Sequence, residues 1–164
     1  MATRSRAAER GRAVTSQVER LGDLPAAGFN LLQAESEQAG LRFLRRLADE
    51  WASGINRFDR PGEGLFAVRA NGELVAVGGL NVDPYATAPR IGRVRHVYVL
   101  AAYRRRGIGR QLVTEIVVAA RGRFDRLRLS TASPAAGRLY ERLGFRPSSG
   151  EDHCTHVLEL AGRE

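Results

Sequence analysis

The sequence lacks lysine altogether: all 26 of its basic residues are arginines, and the formal net charge is +8. An arginine side chain binds phosphates and carboxylates through a planar fork, which a lysine ammonium does not offer. A general compositional preference for arginine over lysine is the simpler explanation of the missing lysines. A high positive charge favours nucleic acid as a partner. The arginines are spread along the chain, however, and aromatic residues (7%) are few for base stacking, so nucleic acid is not the expected partner.

Cysteine and long apolar runs are also scarce. A single cysteine, Cys154, excludes an internal disulfide and any site built from several cysteines. Although His153 and His156 lie close by, alternation along a strand would put only Cys154 and His156 on one face, so no metal site is expected. No run approaches the roughly 18 apolar residues of a membrane span, and no apolar signal segment stands at the start. We expect a cytoplasmic protein without membrane association.

What is present is an ordinary globular composition with 43% hydrophobic residues, enough for a real core in 164 residues. Residues 1–13 are rich in arginine and poor in large apolar side chains. Such a segment cannot offset the entropy of ordering, so it is predicted to be a flexible basic tail. Residues 14–164 are predicted to form a single domain.

Hydrophobic periodicity and turn residues predict the secondary structure of this domain. Two short helices are expected within 29–51, separated at Gly40, and residues 54–64 are expected to form a loop. The dipeptide Asn71-Gly72 predicts a tight hairpin, and Gly78-Gly79 predicts a bulge or a close backbone approach. The predicted strands are 14–21, 65–70, 73–80, 91–99, 126–131, the short stretch G-F-R-P at 144–147, and 154–160. The remaining helices are 107–121 and a segment from Ser133 to Gly144. This order predicts a mixed α/β (α+β) fold in which helices cover a largely antiparallel sheet.

The stretch from Val94 to Ile116 is the most informative part of the chain. An apolar strand ends in a loop with three arginines, and Gly107 and Gly109 open an amphipathic helix. Glycines allow a ligand to approach the backbone, and the first turn of a helix offers free N–H groups at its positive end. The stretch therefore predicts a site for phosphate or pyrophosphate.

Two motifs resemble those of the GCN5-related N-acetyltransferase (GNAT) superfamily. The first, V-Y-V-L-A-A-Y-R-R-R-G-I-G-R-Q-L, is similar to that family's strand followed by (R/Q)-x-x-G-x-(G/A), with Arg104, Gly107 and Gly109 in place. The second, S-P-A-A-G-R-L-Y-E-R-L-G-F, is similar to a family ending in A-x-x-L-Y-E-x-L-G-F. The resemblance covers roughly residues 14–160. It implies a mixed, mostly antiparallel central sheet with helices on both faces, splayed at strands 4 and 5.

The resemblance further implies acetyl-CoA, or another acyl-CoA, as the donor substrate. The family's diphosphate loop corresponds to Arg104, Arg105, Arg106, Gly107, Ile108, Gly109 and Arg110. Its pantetheine arm pairs with the backbone of the fourth strand, here Val97, Tyr98 and Val99. Ser133 stands where relatives often carry an asparagine that helps to hold the same arm.

Tyr140 corresponds to the family tyrosine that can protonate the departing thiolate. A phenol with a pKa near 10 is protonated at neutral pH and can donate; the alternative is a core aromatic with one hydrogen bond. The base is less defined, because arginines occupy strand positions where relatives often carry glutamate. His96 is a weak candidate base; a water relay or an acceptor amine of low pKa fits equally well.

The predicted function is thus transfer of an acetyl group from acetyl-CoA to a primary amine by direct attack. The acceptor is expected to be a small molecule, and the strand arginines Arg93, Arg95 and Arg128 suggest a carboxylate or phosphate beside its amine. The alternatives are a non-catalytic acyl-CoA-binding regulatory module and, less favoured, a nucleic-acid-binding protein. The resemblance also makes a homodimer through the C-terminal strands plausible.

Overall fold

The computed structural model describes residues 15–160 and contains a single seven-stranded sheet with helices packed against it. The predicted basic tail, residues 1–13, lies outside the described residues. The strands are β1 (Ser16–Leu21), β2 (Gly64–Ala70), β3 (Glu73–Val82), β4 (Ile91–Val99), β5 (Arg126–Leu129), β6 (Arg146–Pro147) and β7 (His156–Glu159). The helices are α1 (Phe29–Gln38), α2 (Phe43–Ser53), α3 (Ile108–Ala120) and α4 (Pro134–Arg142), and a short 3-10 turn covers Ala101–Tyr103.

The sheet has the order β1-β2-β3-β4-β5-β7-β6, and its strands are antiparallel except for the parallel pair β4 and β5. That pair is joined at only three positions, from Ile91 with Arg126 to Arg93 with Arg128. Beyond Arg93 the two strands separate and leave a fork. The predicted mixed, mostly antiparallel sheet, splayed at strands 4 and 5, is confirmed.

The local turn chemistry matches the sequence closely. Gly40 has a φ of +81° and separates the two predicted short helices, α1 and α2. Asn71 and Gly72 have φ values of +52° and +84°, the left-handed pair that a primed two-residue hairpin turn requires. The strands predicted over 126–131 and 154–160 are longer than the observed β5 and β7. Their ladder ends because the Thr131 N–H donates to the Thr155 side-chain hydroxyl and not to a backbone carbonyl.

The sheet buries one hydrophobic cluster on each face, which confirms helices on both sides. Helices α3 and α4 cover one cluster, and α1 and α2 cover the other. None of the helices in the described part of the chain is long and apolar enough to cross a bilayer. The predicted close approach at Gly78-Gly79 is confirmed, because a Cβ on Gly79 would lie 2.5 Å from Cε1 of Phe58.

A β-bulge interrupts the pairing of β3 with β4 at the level of the fork. Val77 pairs with Tyr98 and Gly79 pairs with Arg95, so that Gly78 faces two residues, His96 and Val97. His96 takes the extra position with a φ of +59°, in the left-handed region. The bulge changes which side chains face α1 and α2, and it marks the middle of β4.

A buried ion cluster closes the base of the fork. The Asp83 carboxylate, whose side chain is 0% exposed, lies 3.3 Å from Nη1 of Arg128 and 3.7 Å from Nη1 of Arg93. These arginines form the last residue pair between β4 and β5, and Asp83 directly follows β3. One carboxylate therefore joins three strands at the point where two of them part.

We predict that Asp83→Asn lowers the free energy of unfolding by about 3–5 kcal/mol, because two buried guanidiniums lose their shared counter-charge. Urea denaturation followed by circular dichroism would measure the change. The control is Asp125→Asn, whose partner Arg90 is half exposed at 3.0 Å and whose loss should cost less than about 1 kcal/mol. Equal losses in both variants would contradict the prediction.

Candidate functional site

The free edge of β4 lines the fork. The Leu100 N–H donates to the Val75 carbonyl at 2.9 Å, so the preceding residue, Val99, turns its own N–H and C=O away from β3. On that side β5 has already separated, and Nε of Arg104 donates to the Val99 carbonyl at 3.0 Å. The Val99 N–H faces the fork, where an extended ligand could pair with it.

The turn before α3 presents a row of free backbone donors. Within residues 15–160, the N–H groups of residues 105–110 donate to no backbone or side-chain acceptor, and the ladder of α3 starts with Gln111 donating to Gly107 at 2.9 Å. Arg105 and Gly107 have φ values of +61° and +79°, which curl this segment into a concave loop. Its donors and the positive end of α3 coincide, so the loop is suited to a phosphate or diphosphate.

The side chains of this loop play different parts. The guanidinium of Arg104 lies 5.3 Å from the Tyr98 ring centre, and that of Arg106 lies 5.5 Å from the Tyr103 ring centre. Arg105 and Arg110 are exposed and, among the described residues, pair with no carboxylate. Ile108 is buried in the core, so only its backbone can contribute to binding.

The Tyr98 side chain points to the face opposite α3. Its hydroxyl donates to Oε2 of Glu35 at 2.6 Å, and the same oxygen accepts the Ala101 N–H at 3.0 Å. Burial and this carboxylate raise the pKa of Tyr98 to about 12. Tyr98 pairs with Val77 of β3, so by the same alternation its own N–H and C=O face β3, and its side chain is held away from the fork. Sequence reasoning missed Glu35, and its place in a polar helix gave no signal.

Tyr140 lies in α4 on the α3 side of the sheet. Its ring is 6% exposed and packs edge-to-face on Phe145 with centres 5.5 Å apart. Its hydroxyl bonds to no group within residues 15–160 and is not among the fully enclosed polar atoms. Burial raises the pKa of Tyr140, so its phenol holds its proton through the neutral range and can serve as a donor.

Ser133 fixes the start of α4. Its hydroxyl accepts the Ala136 N–H at 3.2 Å as the helix N-cap, and its own N–H donates to Oγ1 of Thr131 at 3.1 Å. This capping ties the helix that carries Tyr140 to the end of β5. The predicted contact of Ser133 with the pantetheine arm stays a prediction.

His96 is enclosed by the aromatic rings of Phe43 and Phe58 at 6.4 and 6.1 Å. Neither ring nitrogen has a hydrogen-bond partner in the described part of the chain. Burial, with smaller contributions from Arg95 and Arg46, lowers the pKa of His96 to about 3. An imidazole with so low a pKa is a poor proton acceptor at neutral pH, which counts against the predicted role as a base.

Cys154 and His156 serve the packing of the C-terminal end of the sheet. The Cys154 thiol donates to the His156 carbonyl at 3.5 Å, and Nε2 of His156 lies 3.5 Å from Oε2 of Glu141. Cys154 lies two residues before the start of β7, and both it and His156 are buried. Across residues 15–160 no group of three His, Cys, Asp or Glu side chains could hold a metal ion.

A cavity of about 290 Å³ opens on the α1/α2 face beside the bulge. We name it the arginine pocket; its lining includes Arg46, Glu50, Asn56, Asn81, Tyr85 and Arg95. Asn81 is 2% exposed and its Oδ1 has no partner among the described residues, and Nδ2 of Asn56 is likewise enclosed and unbonded. Sequence reasoning missed Glu50 and Asn81. The signal for Asn81 was an amide in an otherwise apolar strand.

Comparisons with known proteins agree with this geometry. The Acetyltransferase (GNAT) family matches residues 28–145. The chain is similar to a provisionally assigned acetyltransferase from Exiguobacterium sp. 255-15, with 31% identity, a TM-score of 0.79 and coverage of 88% of this chain and 93% of that one. In fold it resembles a GCN5-related N-acetyltransferase from Kribbella flavida, with 21% identity, a TM-score of 0.64 and coverage of 87% and 95%.

A further structure with the same fold contains coenzyme A. It is the N-acetylglutamate synthase of Neisseria gonorrhoeae, complexed with coenzyme A and N-acetyl-glutamate. The identity is 18%, the TM-score is 0.65, and the match covers 92% of this chain but 36% of that one. This fold therefore accommodates coenzyme A in a relative.

We predict that Gly107→Ala weakens CoA binding about tenfold, because a left-handed backbone costs a side-chain-bearing residue about 1–2 kcal/mol. Isothermal titration calorimetry with CoA would measure it. Gly122→Ala is the matched control: it also has a positive φ, +78°, with nothing within 4 Å of the added Cβ, but it lies beyond the far end of α3. It should lose similar stability and keep its CoA affinity. Equal affinity losses would remove the assignment of the loop.

We also predict that His96 makes the fold acid-sensitive. Its folded pKa of about 3 lies below the unfolded value of 6.5, so falling pH protonates the unfolded chain first and stability is lost below pH 6.5. Between pH 7 and 5 this amounts to about 2 kcal/mol. Denaturation of the native chain and of His96→Gln at both pH values would isolate the difference, and parallel losses in the two proteins would contradict it.

Proposed function

Because this chain belongs to the GNAT family of acetyltransferases, we propose that it transfers an acetyl group from acetyl-CoA to the primary amine of a small molecule. The family uses acetyl-CoA, and the chain is an N-acetyltransferase. The observation that carries the proposal is the fork: β4 and β5 pair at three positions only and lead towards the donor-rich loop before α3.

The donor substrate would be held by backbone groups at two places. Residues 105–110 would bind the diphosphate through their free N–H groups, helped by the positive end of α3 and the exposed guanidiniums of Arg105 and Arg110. The Val99 N–H, together with the backbone of Val97, would pair with the amides of the pantetheine arm, and Tyr98 between them would hold this edge in place through its pairing with β3. Arg104 would stabilise this edge of β4 by donating from Nε to the Val99 carbonyl.

The chemical step would be a direct displacement at the thioester. The neutral amine nitrogen attacks the carbonyl carbon, a C–N bond forms, the C–S bond breaks, and the sulfur leaves as a thiolate that must gain a proton. The former amine loses a proton in the same reaction. Positioning of the two reactants in the fork would supply most of the acceleration, since no covalent enzyme intermediate is needed.

Tyr140 is the proposed proton donor to the sulfur. Its hydroxyl is unpaired within the described residues, and burial raises its pKa, so it is protonated at neutral pH. Proton removal from the amine would fall to a water relay, or the acceptor would have a low pKa. His96 is a poorer choice because burial lowers its pKa to about 3.

The alternative that the sequence offered, a non-catalytic acyl-CoA-binding module, is favoured by one observation only, the absence of carboxylates from β4 and β5. A cytoplasmic location and a homodimer through the C-terminal strands stay predictions of the sequence. CoA binding without thiol release across a broad panel of amines would favour the module over the enzyme.

We predict that Tyr140→Phe lowers kcat about 100-fold while CoA affinity is retained, because only proton donation to the thiolate is lost. Release of free thiol from acetyl-CoA measures kcat, and calorimetry measures the affinity. Tyr103→Phe is the control: its hydroxyl makes one long hydrogen bond of 3.4 Å to Glu73, and its removal should leave kcat within twofold. Full activity of Tyr140→Phe would return Tyr140 to the role of a core aromatic.

A further inference from the structure

The arginine pocket lies on the opposite face of β4 from the cluster packed under α3 and beside the middle of that strand. Arg95 lines it and is two residues from Val97, a separation of about 7 Å along a strand. Asn81 pairs with Arg93, and Gly79 with Arg95, so the floor of the pocket is the sheet itself, next to the bulge. A small molecule in this cavity would reach the fork at the level of the bulge.

The charges of the pocket are unbalanced. Arg60 is paired with Glu63 at 3.1 Å, but Arg46 and Arg95 have no carboxylate within ion-pair distance among the described residues. Both act on His96 and lower its pKa, so their guanidiniums lie near the same point of β4. Behind them, Arg93 and Arg128 share the Asp83 carboxylate, and Nε of Arg128 also lies 3.6 Å from Oε2 of Glu151. The pocket therefore presents two guanidiniums that form no ion pair among the described residues, against the single carboxylate of Glu50 in its lining.

The polar atoms of the pocket are similarly incomplete. Asn81 is almost fully buried, yet its Oδ1 has no hydrogen-bond partner in residues 15–160. An enclosed amide oxygen without a partner costs free energy, unless a ligand donates to it. Glu50, half-buried at the same wall, adds the one carboxylate of the lining. These two acceptors suit an amine, and the guanidiniums suit an anion.

We infer that the arginine pocket binds the acceptor, and that this acceptor carries a carboxylate or phosphate-type oxyanion a few bonds from its amine. Arg46 and Arg95 would hold the oxyanion through charge-assisted hydrogen bonds, and Asn81 and Glu50 would hold the amine end. The inference rests on the proposed function, since it names the substrate class of the same site. It also accounts for Arg95, the one of the three strand arginines that forms no ion pair among the described residues, since Arg93 and Arg128 pair with Asp83.

The test uses the full chain, acetyl-CoA and four matched amines: β-alanine, its amide, 2-aminoethylphosphonate and 1,2-diaminoethane. Thiol release should give the anionic amines a kcat/KM at least about tenfold above that of the amide, as expected for hydrogen bonds to charged groups. The two anionic arms separate carboxylate from phosphate-type recognition. Better turnover of the amide or the diamine would overturn the inference.

Charge-removing variants locate the effect. Arg95→Gln, and independently Arg46→Gln, should lower kcat/KM for the preferred anionic amine about tenfold to 100-fold and leave the amide within twofold. Arg45→Gln makes the same change in net charge at an exposed residue of α2 outside the lining and should leave all four amines unchanged. The assignment would be refuted if both pocket variants kept their preference for the anionic amines. It would also be refuted if Arg45→Gln lost that preference to the same extent.

Binding distinguishes the inference from the proposed function if no amine turns over. Saturation-transfer NMR on the CoA-loaded chain should detect β-alanine or 2-aminoethylphosphonate, but not the amide, and Arg95→Gln should abolish the signal. That result would keep the anion pocket and reject the catalytic proposal. If neither β-alanine nor 2-aminoethylphosphonate bound, the assignment of the arginine pocket as an anion site would be rejected.

Discussion

The fork between β4 and β5 is the constraint on which the rest of the structure depends. A sheet gains stability by pairing its strands, yet this pair is abandoned after Arg93 and Arg128. The unpaired edge is tolerated because Asp83 joins both arginines at the base of the fork, where its carboxylate is fully enclosed. The donor half of the site and the arginine pocket then lie on the two sides of one bulged strand.

The donor half could be predicted from the sequence because its chemistry is local. Backbone N–H groups, a left-handed glycine at Gly107 and the start of a helix are all encoded within a few consecutive residues. The hairpin at Asn71-Gly72 and the helix cap at Ser133 could be predicted from the sequence for the same reason. The sequence placed Tyr140 in α4, whereas the absence of a hydrogen-bond partner for its hydroxyl within the described residues could be seen only from the packing around it.

Of the acceptor half, only Arg95 could be predicted from the sequence, because the residues of the pocket come from separate elements. Arg46 and Glu50 belong to α2, Asn81 to β3 and Arg95 to β4, and no spacing in the sequence joins them. The bulge at His96 changes the alternation of β4, so a regular period of two would misplace the side chains that follow it. Burial, which decides the pKa of His96, is likewise a property of the assembled fold.

The loop between α2 and β2 is fixed in place by contacts of two of its residues, Phe58 and Glu63. Phe58 fills the space left by Gly79, and the Glu63 carboxylate accepts the backbone N–H groups of Arg60 at 3.1 Å and Val82 at 2.8 Å. Asn56 and Arg60, which face the arginine pocket, therefore belong to a wall that is ordered before any ligand arrives. Because little conformational entropy remains to be lost there, selectivity should come from the shape and charge of a preformed surface, and poorly matched amines would gain nothing from induced closure of this wall.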